Sequence, residues 1–179
     1  MQVTVFPSLF LLIFLWSTEL GAKSQEFQLG DCLVPKTILQ NLWGAFQDIR
    51  NIVQTLDHNT DTQLLQQDFF QNASWAEICH LNYSLLSFYL SNIFNKYDTK
   101  AVKLGISKPL STLRNNFLDL QKKLQHCKEK GMFSLSKSSQ RKFQLFRQEF
   151  KKLNPDERLT KALGEVDILL TWIEKAFQP

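Results

Sequence analysis

The chain has 179 residues and a formal net charge of +4, from 21 Lys and Arg against 17 Asp and Glu. That excess is too small and too dispersed for a nucleic-acid binder. Six glycines leave few places for a backbone to cradle a ligand, and no phosphate loop, nucleotide fingerprint or helical histidine pair is present.

The first element is an apolar run, Leu9–Trp16 (LFLLIFLW), followed by polar and small residues that end at Leu20-Gly21-Ala22. It is far shorter than the about 20 residues that cross a bilayer core. The pattern fits a secretory signal peptide, residues 1–22, cleaved after Ala22 to leave one domain, residues 23–179. No later stretch is apolar enough to span a membrane, so a secreted, extracellular protein is expected. Removing the leader takes Glu19 alone among the charged residues, which makes the remaining chain more basic.

Helical stripes fill the rest. Leu39, Leu42, Phe46, Ile49, Val53 and Leu56 recur at 3, 4, 3, 4, 3, with Trp43 widening the face. Asp57–Asp61 is a polar break before a short helix expected around Leu64–Phe70. Ser74 and Glu77 make a capping box for a helix that carries Ile78, Leu81, Leu85 and Phe88 and drifts through Ile93 and Phe94 to Tyr97. Asp98–Lys108 reads as a weakly structured link. Leu110, Leu113, Phe117, Leu120 and Leu124 follow, then a loop at Gly131 and a stripe of Phe143, Phe146, Phe150 and Leu153. In the last segment Asn154 caps, Pro155 suits the first helical position, and Glu157 completes a capping box. Its apolar positions are Leu159, Leu163, Val166, Leu170, Ile173 and Phe177. No alternating run argues for a sheet, so the expectation is an all-α, six-helix bundle with these residues in its core.

Three cysteines remain past the leader: Cys32, Cys79 and Cys127. A secretory route favours disulfides, and three cysteines allow one intramolecular bond at a time. Cys32 can pair with Cys79 or with Cys127; on the chain-entropy model the first loop is worth about 4 kcal/mol. Cys79-His80 and His126-Cys127 lack the spacing of a structural zinc site, so no metal or other cofactor is expected. Two sequons, Asn72-Ala73-Ser74 and Asn82-Tyr83-Ser84, mark Asn72 and Asn82 for glycosylation, Asn72 the better placed. Lys137, Arg141, Lys142, Arg147, Lys151 and Lys152 form a basic patch on one helix, suited to an acidic receptor face or heparan sulfate.

No histidine has a serine or acid in a recognised catalytic order, so an enzyme is not expected. A secreted bundle without an active site leaves two function classes. One is a helical cytokine that uses outward faces to bridge two receptor chains. The other is an amphipathic-helix protein that binds lipid or glycosaminoglycan. Individually capped helices with aromatic-rich stripes favour mutual packing, and with it the cytokine.

Specific runs sharpen this reading. They include Gln25-Glu26-Phe27 with Gly30 and Cys32, Leu42-Trp43 with Ala45-Phe46, Leu64-Leu65-Gln66-Gln67 and Phe88-Tyr89-Leu90. Ser111-Thr112-Leu113, Asn115-Asn116-Phe117, Met132-Phe133-Ser134, Leu145-Phe146-Arg147 and Lys161–Trp172 (KALGEVDILLTW) follow in order. Across Gln25–Phe177 the chain resembles the interleukin-10 family of cytokines, in its interleukin-20 subfamily.

The resemblance implies action through class II cytokine receptors, Janus kinases and STAT factors. The receptor chains it implies are interleukin-20 receptor beta with an alpha-type partner, interleukin-20 receptor alpha or interleukin-22 receptor alpha. It also implies a monomer. Lys161, Glu165 and Asp167 match the charged positions of the KAMSEFD run of interleukin-10, which touch its receptor. Lys161 and Glu165 lie off the apolar stripe and are expected to be exposed; Asp167, at its margin, has a local salt bridge as its alternative role. A second receptor surface is expected on the first and fourth helices. Cys32 and Cys79 match the cysteine pair of the most similar branch members, which favours that bond. Cys127 departs from them and sits where interleukin-10 has a helix-end cysteine bonded to its N-terminal segment.

Overall fold

The computed structural model describes residues 26–29, 32–130 and 135–176, without the side chains of 26–29, 32 and 126–130. A two-stranded antiparallel hairpin comes first: β1 (Glu26–Leu29) pairs with β2 (Cys32–Pro35), Phe27 opposite Val34. This corrects the expectation of no sheet. Strands of four residues are too short to display an alternation. β2 buries Val34 and packs on α1 and on α4, the helix that carries Cys127.

Among the described residues seven α-helices follow. α1 (Lys36–Thr55) buries Leu39, Leu42, Ala45, Phe46, Ile49 and Val53, the expected 3-4 stripe. Residues 57–74 then cross the bundle as irregular turns, not as a short helix, yet Leu64, Leu65 and Phe69 are buried. α2 (Trp75–Tyr89) starts at the Ser74–Glu77 capping box, with both reciprocal bonds formed. A single π-helical turn, Leu90–Phe94, joins it to α3 (Asn95–Lys103). The wider turn inserts a residue into the helical repeat, which is why the apolar stripe drifts to Ile93, Phe94 and Tyr97. The expected link at 98–108 is therefore partly helix. α3 ends at Gly105, whose φ of +70° lets the Ile106 amide reach the Ala101 carbonyl at 3.0 Å and the Gly105 amide reach Val102.

α4 (Ser107–Lys130) buries Leu110, Leu113, Phe117, Leu120 and Leu124 against α1 and α2. α5 (Lys137–Lys152) buries Phe146 and Phe150, whose rings meet Phe88 edge-on. α6 (Pro155–Gly164) is capped by the Asn154 side chain on the Glu157 amide; α7 (Val166–Ala176) follows after a break at Glu165. Leu163, Val166, Leu170 and Ile173 are fully buried, and each such side chain contributes about 1.5–3 kcal/mol by leaving water. Phe177 lies outside the described residues. Thr160, Lys161, Ala162, Gly164 and Glu165 are buried as well, so this stretch is covered on every side.

Candidate functional site

The chemistry of the fold concentrates where the 57–65 segment crosses α6 and α7. Lys161 is 8% exposed and Glu165 5% exposed, which corrects the expectation that both face solvent. Glu165 Oε1 accepts the Leu64 amide at 3.0 Å and Oε2 the Leu65 amide at 2.8 Å. Lys161 Nζ donates to Asp57 Oδ2 at 3.0 Å and to the Asn59 carbonyl at 2.6 Å, and lies 3.6 Å from Glu165. Burial raises the Glu165 pKa, against the pull of the two amides and the Lys161 charge. Stripe spacing carries no signal for this burial, because the covering amides of Leu64 and Leu65 come from a segment distant in sequence. A Cβ on Gly164 would stand 3.4 Å from Asp57 Oδ2, an ordinary contact distance, so the two segments approach closely here without requiring glycine.

Asp167, two residues after Glu165, is half-buried. Its Oδ2 accepts from Gln54 Nε2 at 2.9 Å and lies 3.7 Å from Arg50, the local salt bridge considered for it. Gln54 also donates to the Gly164 carbonyl at 3.0 Å, so α1 grips the break between α6 and α7. Asn59 extends the network to Glu157 Oε1 at 2.6 Å.

Pinning the segment shapes a surface groove of about 640 Å³. Trp43 and Arg50 of α1, Gln63 and Gln67 of the segment, and Asp167, Trp172 and Lys175 of α7 line it. Trp172 stacks on Phe69 at 5.7 Å and meets Phe70 edge-on, which fixes its ring as a rigid wall. A second groove, of about 520 Å³, lies between α1 and α4, lined by Ile38, Asn41, Asn116, Asp119, Lys122 and Lys123. It falls on the two helices expected to form the second surface.

The sequons separate. Asn72 is exposed, in a left-handed conformation at φ 58°. Asn82 is 0% exposed in α2, its amide nitrogen and oxygen enclosed without a hydrogen-bond partner. A glycan at Asn82 would require this enclosed side chain to reach solvent, so of the two sequons only Asn72 is presented at the surface. Cys79 is buried on α2; the side chains of Cys32 and Cys127 lie outside the described residues. Among the described residues no group of three His, Cys, Asp or Glu is placed to hold a metal ion, and no helix is long and apolar enough to cross a membrane.

The family model described as "Interleukin 10" matches residues 11–178. Human interleukin-24 is 45% identical over 178 residues, 99% of this chain and 86% of that protein. Mouse interleukin-20 is 30% identical over 163 residues, 90% of this chain and 89% of that protein. The structure of an edited human interleukin 24 aligns with TM-score 0.71 at 38% identity, over 86% of this chain and 99% of that one. Human interleukin-19 aligns with TM-score 0.67 at 23% identity over 77% of this chain and 88% of that one, a likeness of fold. These relatives are cytokines and not enzymes, and the fold built above is theirs: the chain belongs to the interleukin-10 family.

Proposed function

We propose that the protein is a secreted cytokine that bridges two class II cytokine receptor chains and activates Janus kinases and STAT factors. The chains are interleukin-20 receptor beta and an alpha-type partner, interleukin-20 receptor alpha or interleukin-22 receptor alpha. The observation that carries this reading is the pair of separate grooves, one at α1, the 57–67 segment and α7, the other at α1 and α4. Two docking surfaces on one monomer suit a bridge between two chains. Similarity to interleukin-24 over nearly the whole chain supports the choice of receptors.

Within this reading Asp167 meets the receptor from the groove wall. Lys161 and Glu165 serve binding from beneath, by holding the 57–65 segment in shape. Residues 1–22 direct secretion, Asn72 carries a glycan, and Cys32 pairs with Cys79. Packing of β2 against α4 keeps Cys32–Cys127 as the alternative bond.

STAT phosphorylation in cells displaying the receptor chains singly and in pairs tests the function. A response that requires interleukin-20 receptor beta together with one alpha-type chain is expected. A response in cells lacking interleukin-20 receptor beta, or none in either paired line, overturns the assignment.

A further inference from the structure

α5 carries a charge pattern that works against its own stability. Helix N-termini favour acids and disfavour cations, yet the helix's own first turn holds no acid and begins with Lys137, with Arg141 one turn on. The acid at this end is Glu77 of α2, which accepts from the Ser136 amide and the Ser139 hydroxyl. Lys137–Arg141 and Arg147–Lys151 are like-charge pairs at i, i+4, which weaken a helix. Only Lys151 and Lys152, in the last turn, suit the helix dipole.

Buried phenylalanines define the inner side of the helix. At 3.6 residues per turn, Arg147, Lys151, Lys137, Arg141 and Lys152 fall within an arc of about 140° opposite Phe146 and Phe150, and run about 22 Å along the axis. All five are exposed. Gln140, Gln144 and Gln148, also exposed, lie between them and add amide donors. Glu149 is the only acid of α5, and Lys152 already engages it at 2.6 Å. Among the described residues Lys137, Arg141, Arg147 and Lys151 have no acidic partner within salt-bridge distance. Lys142 does not belong to this face: its Nζ donates to the Asp68 and Gln71 carbonyls at 2.7 and 2.6 Å, bracing the loop before α2.

We propose that the outer face of α5 is a binding site for a sulfated glycosaminoglycan chain. A band of cations and amides along one side of the helix matches a linear polyanion that carries sulfates and hydroxyls. Nucleic acid fits less well, because α5 turns its aromatic rings inward and offers no stacking platform on this face. An anionic membrane fits less well, because Leu145, at the margin of the cationic arc, is the one exposed large apolar side chain that α5 offers for insertion among the described residues. None of the five cations lines either groove, so polysaccharide and receptor can be held together.

The test is binding of the secreted protein to immobilised heparan sulfate across a salt series, beside desulfated heparan sulfate, single-stranded DNA and phosphatidylserine vesicles. Two variants remove the same charge: Arg141→Gln/Arg147→Gln on this face, and Lys96→Gln/Lys103→Gln on α3. Wild type is expected to bind the sulfated chain at physiological salt and to prefer it over the three comparators. The α5 variant is expected to lose about tenfold in affinity with a shallower salt slope, while the α3 variant retains binding. Both variants should keep the wild-type circular dichroism, with the α3 variant melting as wild type and the α5 variant at the same or a slightly higher temperature, since it loses two like-charge pairs. Equal losses in the two variants, no wild-type binding at physiological salt, or equal binding to DNA or vesicles overturns the proposal.

Discussion

Glu165 and Leu65 lie far apart in sequence and are joined by a charged hydrogen bond: the carboxylate Oε2 accepts the Leu65 amide at 2.8 Å while Oε1 takes that of Leu64. One side chain at the break between two helices thus sets the path of the segment that walls the groove. Gln offers one acceptor oxygen and turns an N–H toward the second amide. Glu165→Gln is therefore expected to cost about 1–3 kcal/mol by leaving a buried donor unpaired. Glu165→Lys places a cation beside Lys161 and is expected to cost about 3–5 kcal/mol, as broken buried pairs do. Urea denaturation measures both; an unchanged midpoint for Glu165→Lys would return the residue to the surface role first expected of it.

Arg50 is the exposed member of the groove polar pair, and its salt bridge to Asp167 is worth about 0–1 kcal/mol. Arg50→Glu should barely move the melting temperature, yet it reverses the charge at the mouth of the groove. A tenfold loss of receptor affinity, about 1.4 kcal/mol, is the expected result by surface-plasmon binding. Unchanged affinity would remove this groove from the receptor interface.

Leu163 and Leu170 are fully buried on the last stripe. Truncation to Ala at either is expected to cost about 2–5 kcal/mol, the sum of lost burial and a cavity. Thermal melts check this, and an unaltered transition would refute the stripe.

Glu77 contributes an acid-sensitive share of the stability. Hydrogen bonds from Ser136, then from the Ser74 amide and the Ser139 and Ser74 hydroxyls, hold its pKa well below the carboxylate value of 4.5. A depressed folded pKa contributes stability above the unfolded value and loses it as pH falls below about 4.5 toward the folded one. The wild-type advantage over Glu77→Gln should therefore be full at neutral pH and shrink on acidification. Melting temperatures of the two proteins measured from pH 7 to pH 3 test it, and a constant gap would contradict it. Glu165 acts in the opposite sense: its raised pKa gives a penalty absent below 4.5 that grows as pH rises through the folded value.

Asn82 holds a buried amide with neither end partnered. Asn82→Leu removes that unsatisfied group at similar volume and should leave stability equal or higher. Glycopeptide mapping of secreted protein should find carbohydrate at Asn72 and none at Asn82. A glycan at Asn82 contradicts the packing of α2.

The periodic part of the fold is legible in the sequence because a 3-4 stripe has one structural meaning: Leu39 to Val53, Leu110 to Leu124 and Leu159 to Ile173 are buried where the spacing puts them. Glu77 and Asn154 likewise cap the helices they announce. The hairpin was within reach, since Gly30-Asp31 is a two-residue turn signal between the short strands. α3 was harder, because only Tyr97 and Ala101 face the core. The site is the least legible part. Off-stripe position means exposure only when nothing else covers the helix, and no local pattern reports that residues 57–65 lie over Lys161 and Glu165.

The most direct measurement is surface-plasmon binding of the purified protein to immobilised interleukin-20 receptor beta, with and without an alpha-type ectodomain. Saturable binding that the second chain strengthens is the result expected of a bridging cytokine. Absence of binding by correctly folded protein, with either alpha-type chain present, would contradict the receptor assignment.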